Sequence, residues 1–317
     1  MKTTLKKRLL ASLLCGAMAV SLAACGGDGG TASSGGDEAS SSGEVVELQI
    51  GFENSASEPI GQGLEKWAEL LDEASGGTMK ITLYPDSQLG SKNELIDSML
   101  LGEPVATLAD GAFYADYGVP DFGIVFGPFL FDDWDQCWTT TTPVHTVDDL
   151  AGLKIRVPNN QIQSYGFDVL GAVSTGMDLG DVYMALQGKT IDGAENPIAT
   201  LYGRKLHEVA PYLILDGHVL NFTTWVCSAD WFNSLTEEQQ NWLVETGEEA
   251  GVYNNQVLEE QEQEYLDQMV AEGVTVYEPT EEELNGFREK AQAFYDMGDT
   301  FGWSDGLYET VQAAMGK

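Results

Sequence analysis

The chain has 317 residues, of which 15 are Lys or Arg and 51 are Asp or Glu, so its formal net charge at pH 7 is −36. This acidity excludes nucleic acid as a partner, because phosphate binding requires a basic surface. The apolar fraction of 43% is that of a globular chain rather than a disordered one. No internal stretch approaches the ~20 apolar residues that a membrane-spanning helix needs.

The first 43 residues are predicted to lie outside the fold. A cationic start is followed by an apolar run that ends in the letters LAAC at Cys25, a pattern typical of a bacterial lipoprotein signal peptide over residues 1–24. We expect Cys25 to carry lipid that anchors the protein to the outer face of the cell membrane, and ordinary signal cleavage is the alternative. Residues 25–43 contain this cysteine and a Gly- and Ser-rich segment that predicts a flexible linker.

From residue 45 onward, predicted strands and helices alternate. Apolar runs predict strands at 45–51, 79–84 and 105–109, and amphipathic patterns predict helices at 60–74 and 91–101. Ser91 is a favourable N-cap with Glu94 at capping-box spacing, and Gly102 ends the helix. This alternation predicts βαβ units around a parallel sheet.

The same pattern resumes after Pro143. The predicted elements are a helical turn at 148–151, a strand at 153–157, helices at 160–170 and 179–187, a long strand at 219–228, and helices from 237 to about 269, from 281 to about 297 and at 305–314. Two βα groups joined by long crossing elements predict an α/β fold of two lobes with a cleft between them. We expect lobe I to comprise about 44–142 plus 216–250, and lobe II about 143–215 plus 251–317.

Common catalytic motifs are missing from the sequence. Neither a nucleophile elbow, a Walker loop nor a zinc-protease helix occurs, and the Cys and His residues lack metal-ligand spacing. We therefore predict a protein that is not an enzyme and that needs no cofactor and no metal. A glycan hydrolase that uses the carboxylates of Asp110 and Glu195 is kept as an alternative, and a disulfide between Cys137 and Cys227 is left open.

The most informative segment is GLKIRVPN at residues 152–159. Strand alternation places Leu153, Ile155 and Val157 on one face and Arg156 on the other. Arg156 stands at the carboxyl end of this strand, where open α/β sheets bind their ligands. A guanidinium offers parallel donors that match a carboxylate, but a structural salt bridge explains the same pattern equally well.

Five groups of motifs occur in the order found in one known family. They are LYP with QLG (83–85, 88–90), PDF with PFLF (120–122, 128–131), DLAGLKIRV (149–157), DVYMALQG (181–188) and IDGAENP (191–197). The segment from about 48 to 303 resembles the DctP-type solute-binding proteins of tripartite ATP-independent periplasmic (TRAP) transporters. This resemblance implies a two-lobed fold like type II periplasmic binding proteins, with a long interlobe helix.

The resemblance also implies a function and a site. Such receptors bind a small carboxylate-bearing metabolite, for example a C4-dicarboxylate or a sugar acid, and deliver it to a TRAP permease in the membrane. It assigns Arg156 to the ligand carboxylate and Asn196 to a second hydrogen bond. It places six further residues on the cleft: Glu53, Asp110, Pro158, Asn159, Leu179 and His218. Trp225 and Phe113 are interpreted as core residues rather than cleft walls.

One departure from the family pattern stands between the PFLF and DLAGLKIRV motifs. Family members carry a helix, a strand and often a second ligand-facing arginine there, whereas here Trp138 is followed almost directly by Pro143. We expect that segment to be absent, which would expose a sheet edge or leave a gap in one lobe. The expected protein is a monomer. The alternatives are a ligand-sensing lipoprotein coupled to a membrane kinase, and a degenerate family member with impaired binding.

Overall fold

The computed structural model describes residues 45–131 and 136–316. The predicted signal peptide, the lipid site at Cys25 and the linker lie outside the described residues, as does most of the acidic segment after Phe131. Within the described ranges, no helix combines the length and the apolar character needed to cross a membrane.

Ten strands form two separate sheets in this part of the chain. They are β1 (Val46–Gly51), β2 (Met79–Tyr84), β3 (Val105–Ala109), β4 (Gln136–Thr140), β5 (Lys154–Val157), β6 (Val173–Gly176), β7 (Gly193–Pro197), β8 (Tyr212–Ile214), β9 (Thr224–Cys227) and β10 (Thr275–Tyr277). The first sheet has the order β2-β1-β3-β9, and the second has the order β10-β8-β4-β7-β5-β6. The two sheets confirm the predicted α/β fold with two lobes.

Helices cover both sheets. They are α1 (Pro59–Ala74), α2 (Lys92–Leu100), α3 (Gly111–Asp116), α4 (Gln161–Leu170), α5 (Val182–Gln187), α6 (Ile198–Gly203), α7 (Ala229–Ser234), α8 (Glu237–Ala271), α9 (Glu281–Tyr295), α10 (Gly298–Phe301) and α11 (Leu307–Ala314). The 35 residues of α8 span about 52 Å at 1.5 Å per residue. This helix contacts α1 over the first sheet and α6 beside the second, so it is the long interlobe helix that was predicted.

The predicted helix starts are confirmed by their hydrogen bonds. The backbone N–H of Ser91 donates to the Glu94 carboxylate at 2.9 Å, and the N–H of Glu94 donates back to the Ser91 hydroxyl at 3.4 Å. Thr236 and Gln239 form the same reciprocal pair at the start of α8. Local polar side chains therefore fix these helix ends, as their spacing predicts.

Several strands differ from the sequence prediction. Only Thr224–Cys227 of the predicted strand 219–228 pairs in a sheet, because Val219 instead packs into the cluster around Phe294. Strands β4, β6, β7, β8 and β10 were not predicted. Each has three to five residues, and its hydrogen bonds come from strands that are distant in sequence.

Strand β4 occupies the middle of the second sheet, antiparallel to both β7 and β8. The predicted limit of lobe I at residue 142 would group this strand with the first sheet. A division by sheet membership instead places Gln136–Thr140 in the second lobe, and the remaining lobe limits stay predictions. Because β4 pairs on both sides, the shortened segment that follows it exposes no sheet edge and leaves no gap at this described strand.

The core consists of apolar clusters on the faces of the two sheets. The first sheet packs Leu48, Ile50 and Leu108 against α1 and α8. Each face of the second sheet carries its own cluster, one around Leu186 and Leu213 and the other around Trp138, Ile155 and Phe167. Cys137 and Cys227 belong to different sheets and are not joined by a disulfide.

Candidate ligand-binding site

A cavity of about 730 Å³ lies between the two sheets. Its lining includes Leu48 and Leu108 of the first sheet and Arg156 and Glu195 of the second, so both lobes contribute walls. Six of the eight residues predicted to contact ligand line this cavity: Glu53, Asp110, Arg156, Pro158, Leu179 and Asn196. The two that do not are Asn159 and His218.

Arg156 projects from β5 into this cavity. Its strand neighbours Ile155 and Val157 are buried in the opposite direction, in the cluster that holds the sheet against α4 and α9. Arg156 is 2% exposed, and its Nε–H donates to the carbonyl of Met177 at 2.8 Å. Burial lowers the pKa of the guanidinium, while nearby carboxylates, chiefly that of Glu53, act in the opposite direction.

Glu53 lies two residues after the end of β1 and faces Arg156 from the first lobe. Its carboxylate lies 3.3 Å from the ammonium of Lys92. Burial alone would raise the pKa of Glu53, but Lys92, Arg156 and the backbone N–H of Leu179 outweigh burial, so the pKa is lowered. The carboxylate of Glu53 is therefore attracted by a positive charge from each lobe, Lys92 of the first and Arg156 of the second.

The neighbouring residues Glu195 and Asn196 stand on β7, next to Arg156. Glu195 is buried, and burial raises its pKa against the opposing charges of His218 and Arg156. The Nδ2 atom of Asn196 is buried and meets no hydrogen-bond acceptor among the described residues. The amide N–H of Asn196, beside Arg156, can therefore donate a hydrogen bond to a ligand oxygen, as the resemblance implies.

Asp110 lines the cavity and also stabilises the start of helix α3. It is the N-cap of α3, where its carboxylate accepts from the N–H groups of Ala112 at 3.0 Å and Phe113 at 3.3 Å. Burial raises its pKa, and Lys92 opposes that shift.

The structure places Asn159 and His218 elsewhere. Asn159 is exposed and donates from Nδ2 to Asp178 at 2.7 Å. His218 is fully buried, with Nδ1 at 2.8 Å from Asp216, and it packs between Trp138 and Phe167 behind the cavity wall. A hydrogen-bonded histidine in an aromatic cluster supports the fold of the second lobe, and its charge lowers the pKa of the lining residue Glu195.

Both walls of the cavity contain residues that the sequence reasoning missed. Asn54, Gln163 and Thr200 are polar lining residues without a motif, so only the fold brings them together. Trp225, interpreted as a core residue, also lines the cavity and stacks on Trp67 with ring centroids 4.7 Å apart. Phe113, by contrast, packs in the core under α2, as expected.

Direct contacts cross the cleft beside the cavity. Arg204, which follows α6, donates to Asp86 of the first lobe at 3.0 Å and lies 4.0 Å from Glu58. Asn54 of the first lobe donates to Thr200 of the second at 3.2 Å. These bonds hold the two walls together on one side of the cavity.

The family model described as bacterial extracellular solute-binding protein, family 7 (DctP), matches residues 50–138 and 134–299. The chain belongs to this family. Family 7 consists of solute-binding receptors rather than enzymes, and its TRAP members are extracytoplasmic. The fold and the cavity between two sheets agree with that membership.

Relatives within family 7 extend over most of the chain. The 2,3-diketo-L-gulonate-binding periplasmic protein YiaO of Escherichia coli (strain K12) is 29% identical over 263 residues, which cover 72% of this chain and 80% of YiaO. The sialic acid-binding periplasmic protein SiaP of Vibrio cholerae is 26% identical over 292 residues, covering 80% and 88%.

Solved structures of TRAP periplasmic solute-binding proteins have the same fold. The protein from Ochrobacterium anthropi with bound L-fuconate is 32% identical, with a TM-score of 0.80, and the match covers 85% of this chain and 99% of that one. The protein from Actinobacillus succinogenes with bound L-galactonate is 28% identical, with a TM-score of 0.77 and coverage of 84% and 98%.

The alignments also locate the departure from the family pattern. The YiaO alignment is 263 positions long, but the part of this chain that it includes is shorter, namely 72% of 317 residues. Several tens of aligned positions in YiaO therefore have no counterpart in this chain. The two parts of the family match overlap at 134–138, a few residues before the predicted position between Trp138 and Pro143. This agrees with a segment missing between the PFLF and DLAGLKIRV motifs.

Proposed function

We propose that this protein is an extracytoplasmic receptor that binds the carboxylate of a small organic acid at Arg156 and delivers the acid to a TRAP permease. The observation that carries this proposal is that Arg156 is buried without a direct counter-ion in the described part of the chain. It is buried in the wall of a large cavity, and no carboxylate of the described residues lies within 4.0 Å of its nitrogen atoms. A buried cation without a direct counter-ion is costly, and a ligand carboxylate supplies that counter-ion.

The relatives support a carboxylate as the recognised group. YiaO, SiaP and the C4-dicarboxylate-binding protein DctP of Rhodobacter capsulatus are named for acids, and the two solved structures contain the sugar acids L-fuconate and L-galactonate. These ligands differ in length and hydroxylation but share a carboxylate. Arg156 and the free amide donor of Asn196 provide the matching donors in this chain.

Ligand binding is coupled to transport through closure of the two lobes. Arg156 and Asn196 belong to the second lobe, whereas Glu53 and Asn54 belong to the first, so a ligand in the cavity contacts both. Such a ligand stabilises the closed state because only that state satisfies both sets of contacts. The net charge of −36 does not prevent anion binding, since exposed charges are screened over about 8 Å at physiological salt.

We further propose that the receptor acts as a monomer tethered to the membrane by lipid on Cys25. The linker over 25–43 would then let the two-lobed domain reach a permease. Replacement of the acceptor, Cys25→Ser, should release the protein from the membrane fraction of the cell into the soluble one. Equal membrane retention of wild type and variant would refute the lipid anchor.

The site itself is tested by titration calorimetry with a panel of sugar acids, keto acids and dicarboxylates. Arg156→Ala should weaken binding of the best acid by about 2–5 kcal/mol, because it leaves the ligand charge buried without its partner. Arg156→Lys keeps the charge but loses the parallel donors, so we expect it to bind poorly too. Arg288→Ala, at an exposed arginine paired with Glu281 on α9, is the matched control. Undiminished binding by Arg156→Ala would remove this residue from the site.

A further inference from the structure

The cavity continues well beyond the carboxylate site at Arg156. Its volume of about 730 Å³ lies in the upper part of the ~300–1,000 Å³ range for pockets that enclose drug-sized ligands. It has the room of about 24 water molecules at about 30 Å³ each. A six-carbon sugar acid held at Arg156 leaves a large part of that space unfilled.

The lining divides into a polar half and an apolar half. The polar half surrounds Arg156 and Asn196 and includes Glu53 and Asn54. The apolar half lies between the first sheet and helices α1, α7 and α8, and its members include Leu48, Trp67, Leu108, Trp225, Phe232 and Leu243. These apolar residues belong to one contiguous cluster, so they form a continuous surface.

Two indole rings make part of the apolar half rigid. Trp67 and Trp225 stack with their ring planes 17° apart. The Nε1–H of Trp67 donates to the hydroxyl of Thr246 at 3.1 Å, so its polar atom has a partner within the protein. An apolar ligand group can therefore cover this pair without depriving Trp67 of its hydrogen bond.

The positive charges of the lining are confined to the polar half. Lys92 and Arg156 are the basic side chains that line the cavity in the described part of the chain, and Lys92 is held by Glu53 and lies over the ring of Phe113. A second ligand carboxylate in the apolar half would be buried without a counter-charge, which is strongly unfavourable.

We propose that the ligand is a monocarboxylate with an apolar chain or an aromatic ring at its far end. Its carboxylate binds Arg156, and its apolar end packs against Trp225 and Phe232. This assignment rests on the receptor function proposed above and narrows the class of acid. It makes Trp225 and Phe232 residues that determine specificity.

The test uses straight-chain carboxylates of four to ten carbons, with D-galactonate as a polar comparator, in calorimetric titrations of the purified two-lobed protein. Affinity should rise about fourfold for each added methylene until the apolar half is full. Alcohols of the same chain lengths should bind far more weakly, because they lack the charge that Arg156 recognises. This series needs only the wild-type protein.

A variant places the apolar chain within the cavity. Cys227 lines the apolar half from β9, and Cys227→Phe should weaken binding of the longest carboxylates far more than binding of D-galactonate. Val226→Phe is the matched control, because Val226 packs on the other side of the sheet, near Phe113. Thermal melting of both variants confirms that each is folded.

The outcomes separate the two proposals. If galactonate binds and Arg156→Ala abolishes that binding, but affinity does not rise with chain length, the apolar-ended ligand is refuted and the receptor function stands. Alcohols that bind as tightly as the acids also refute it. If no acid binds at all, neither in this series nor in the wider panel of sugar acids, keto acids and dicarboxylates, the receptor function fails and the narrower assignment fails with it.

Discussion

Arg156 and Glu195 are adjacent buried groups, and burial shifts their pKa values in opposite directions: it lowers the pKa of Arg156 and raises that of Glu195. The guanidinium stays charged because its ordinary pKa is far above neutrality, whereas burial raises the pKa of the Glu195 carboxyl. The site thus places the Arg156 cation next to a carboxyl group with a raised pKa, Glu195. Glu195 therefore competes only weakly with an incoming anion for Arg156.

The raised pKa of Glu195 predicts a pH-dependent stability. The folded protein holds this proton more tightly than the unfolded chain, where the pKa is near its ordinary value of 4.5. Stability is therefore lost as the pH rises from about 4.5 through the raised pKa. Glu195→Gln removes that loss, so its melting temperature should exceed that of the wild type at pH 7 and approach it near pH 4.

Calorimetric scans from pH 4 to pH 8 measure this difference. Glu65→Gln, at an exposed position on α1, controls for the general effect of removing a negative charge. A variant at Glu195 that melts below the wild type across the whole range would show that the ionised carboxylate is stabilised by Arg156 and His218.

At the scale of elements, helix α8 has two glycines beside the cavity. Gly247 and Gly251 lie near its middle, and a Cβ at Gly251 would meet no other atom within 4 Å. At Gly247, a Cβ would come to 3.3 Å from the ring of Trp67. Glycine weakens a helix interior by about 1 kcal/mol relative to alanine, so this stretch is the part of α8 that bends most readily when the lobes separate.

Gly251→Ala should raise the free energy of unfolding by about 0.5–1 kcal/mol, because it lowers the backbone entropy of the unfolded chain without a steric penalty. Gly247→Ala, four residues away, should gain less because its methyl group crowds Trp67. Urea unfolding of the two variants measures the difference. Equal gains at both positions would contradict the close approach at Gly247.

The sequence predicted the long elements better than the short ones. Amphipathic periodicity and caps such as Ser91 and Thr236 located the helices, since those signals are local. Strands β4, β6, β8 and β10 have too few residues for a pattern and are defined by distant partners. The site shows the same division. The DLAGLKIRV and IDGAENP motifs predicted Arg156 and Asn196, which line the cavity, whereas Asn54 and Thr200 join the lining through the tertiary fold alone.

At the scale of the whole molecule, Arg204 connects the two lobes. Its bond to Asp86 and its proximity to Glu58 stabilise the closed arrangement of the walls. Arg204→Ala should shift the unliganded protein toward open forms, with a larger radius of gyration and several-fold weaker ligand binding. Small-angle X-ray scattering with and without ligand measures the change.

Lys205→Ala is the matched control for this prediction. Lys205 is largely exposed and pairs with Glu208 of its own lobe, so its loss should change neither the radius of gyration nor the affinity. If Arg204→Ala scatters like Lys205→Ala in the absence of ligand, the contact with Asp86 does not hold the lobes together.

The stacked pair Trp67 and Trp225 gives the protein a built-in optical reporter. Indole emission depends on the polarity around the ring, and these two rings form part of the cavity wall. A solute that displaces water from this wall changes the emission without any attached dye. Occupancy can therefore be followed by intrinsic fluorescence in real time, and a Trp225→Phe protein identifies how much of that signal comes from Trp225.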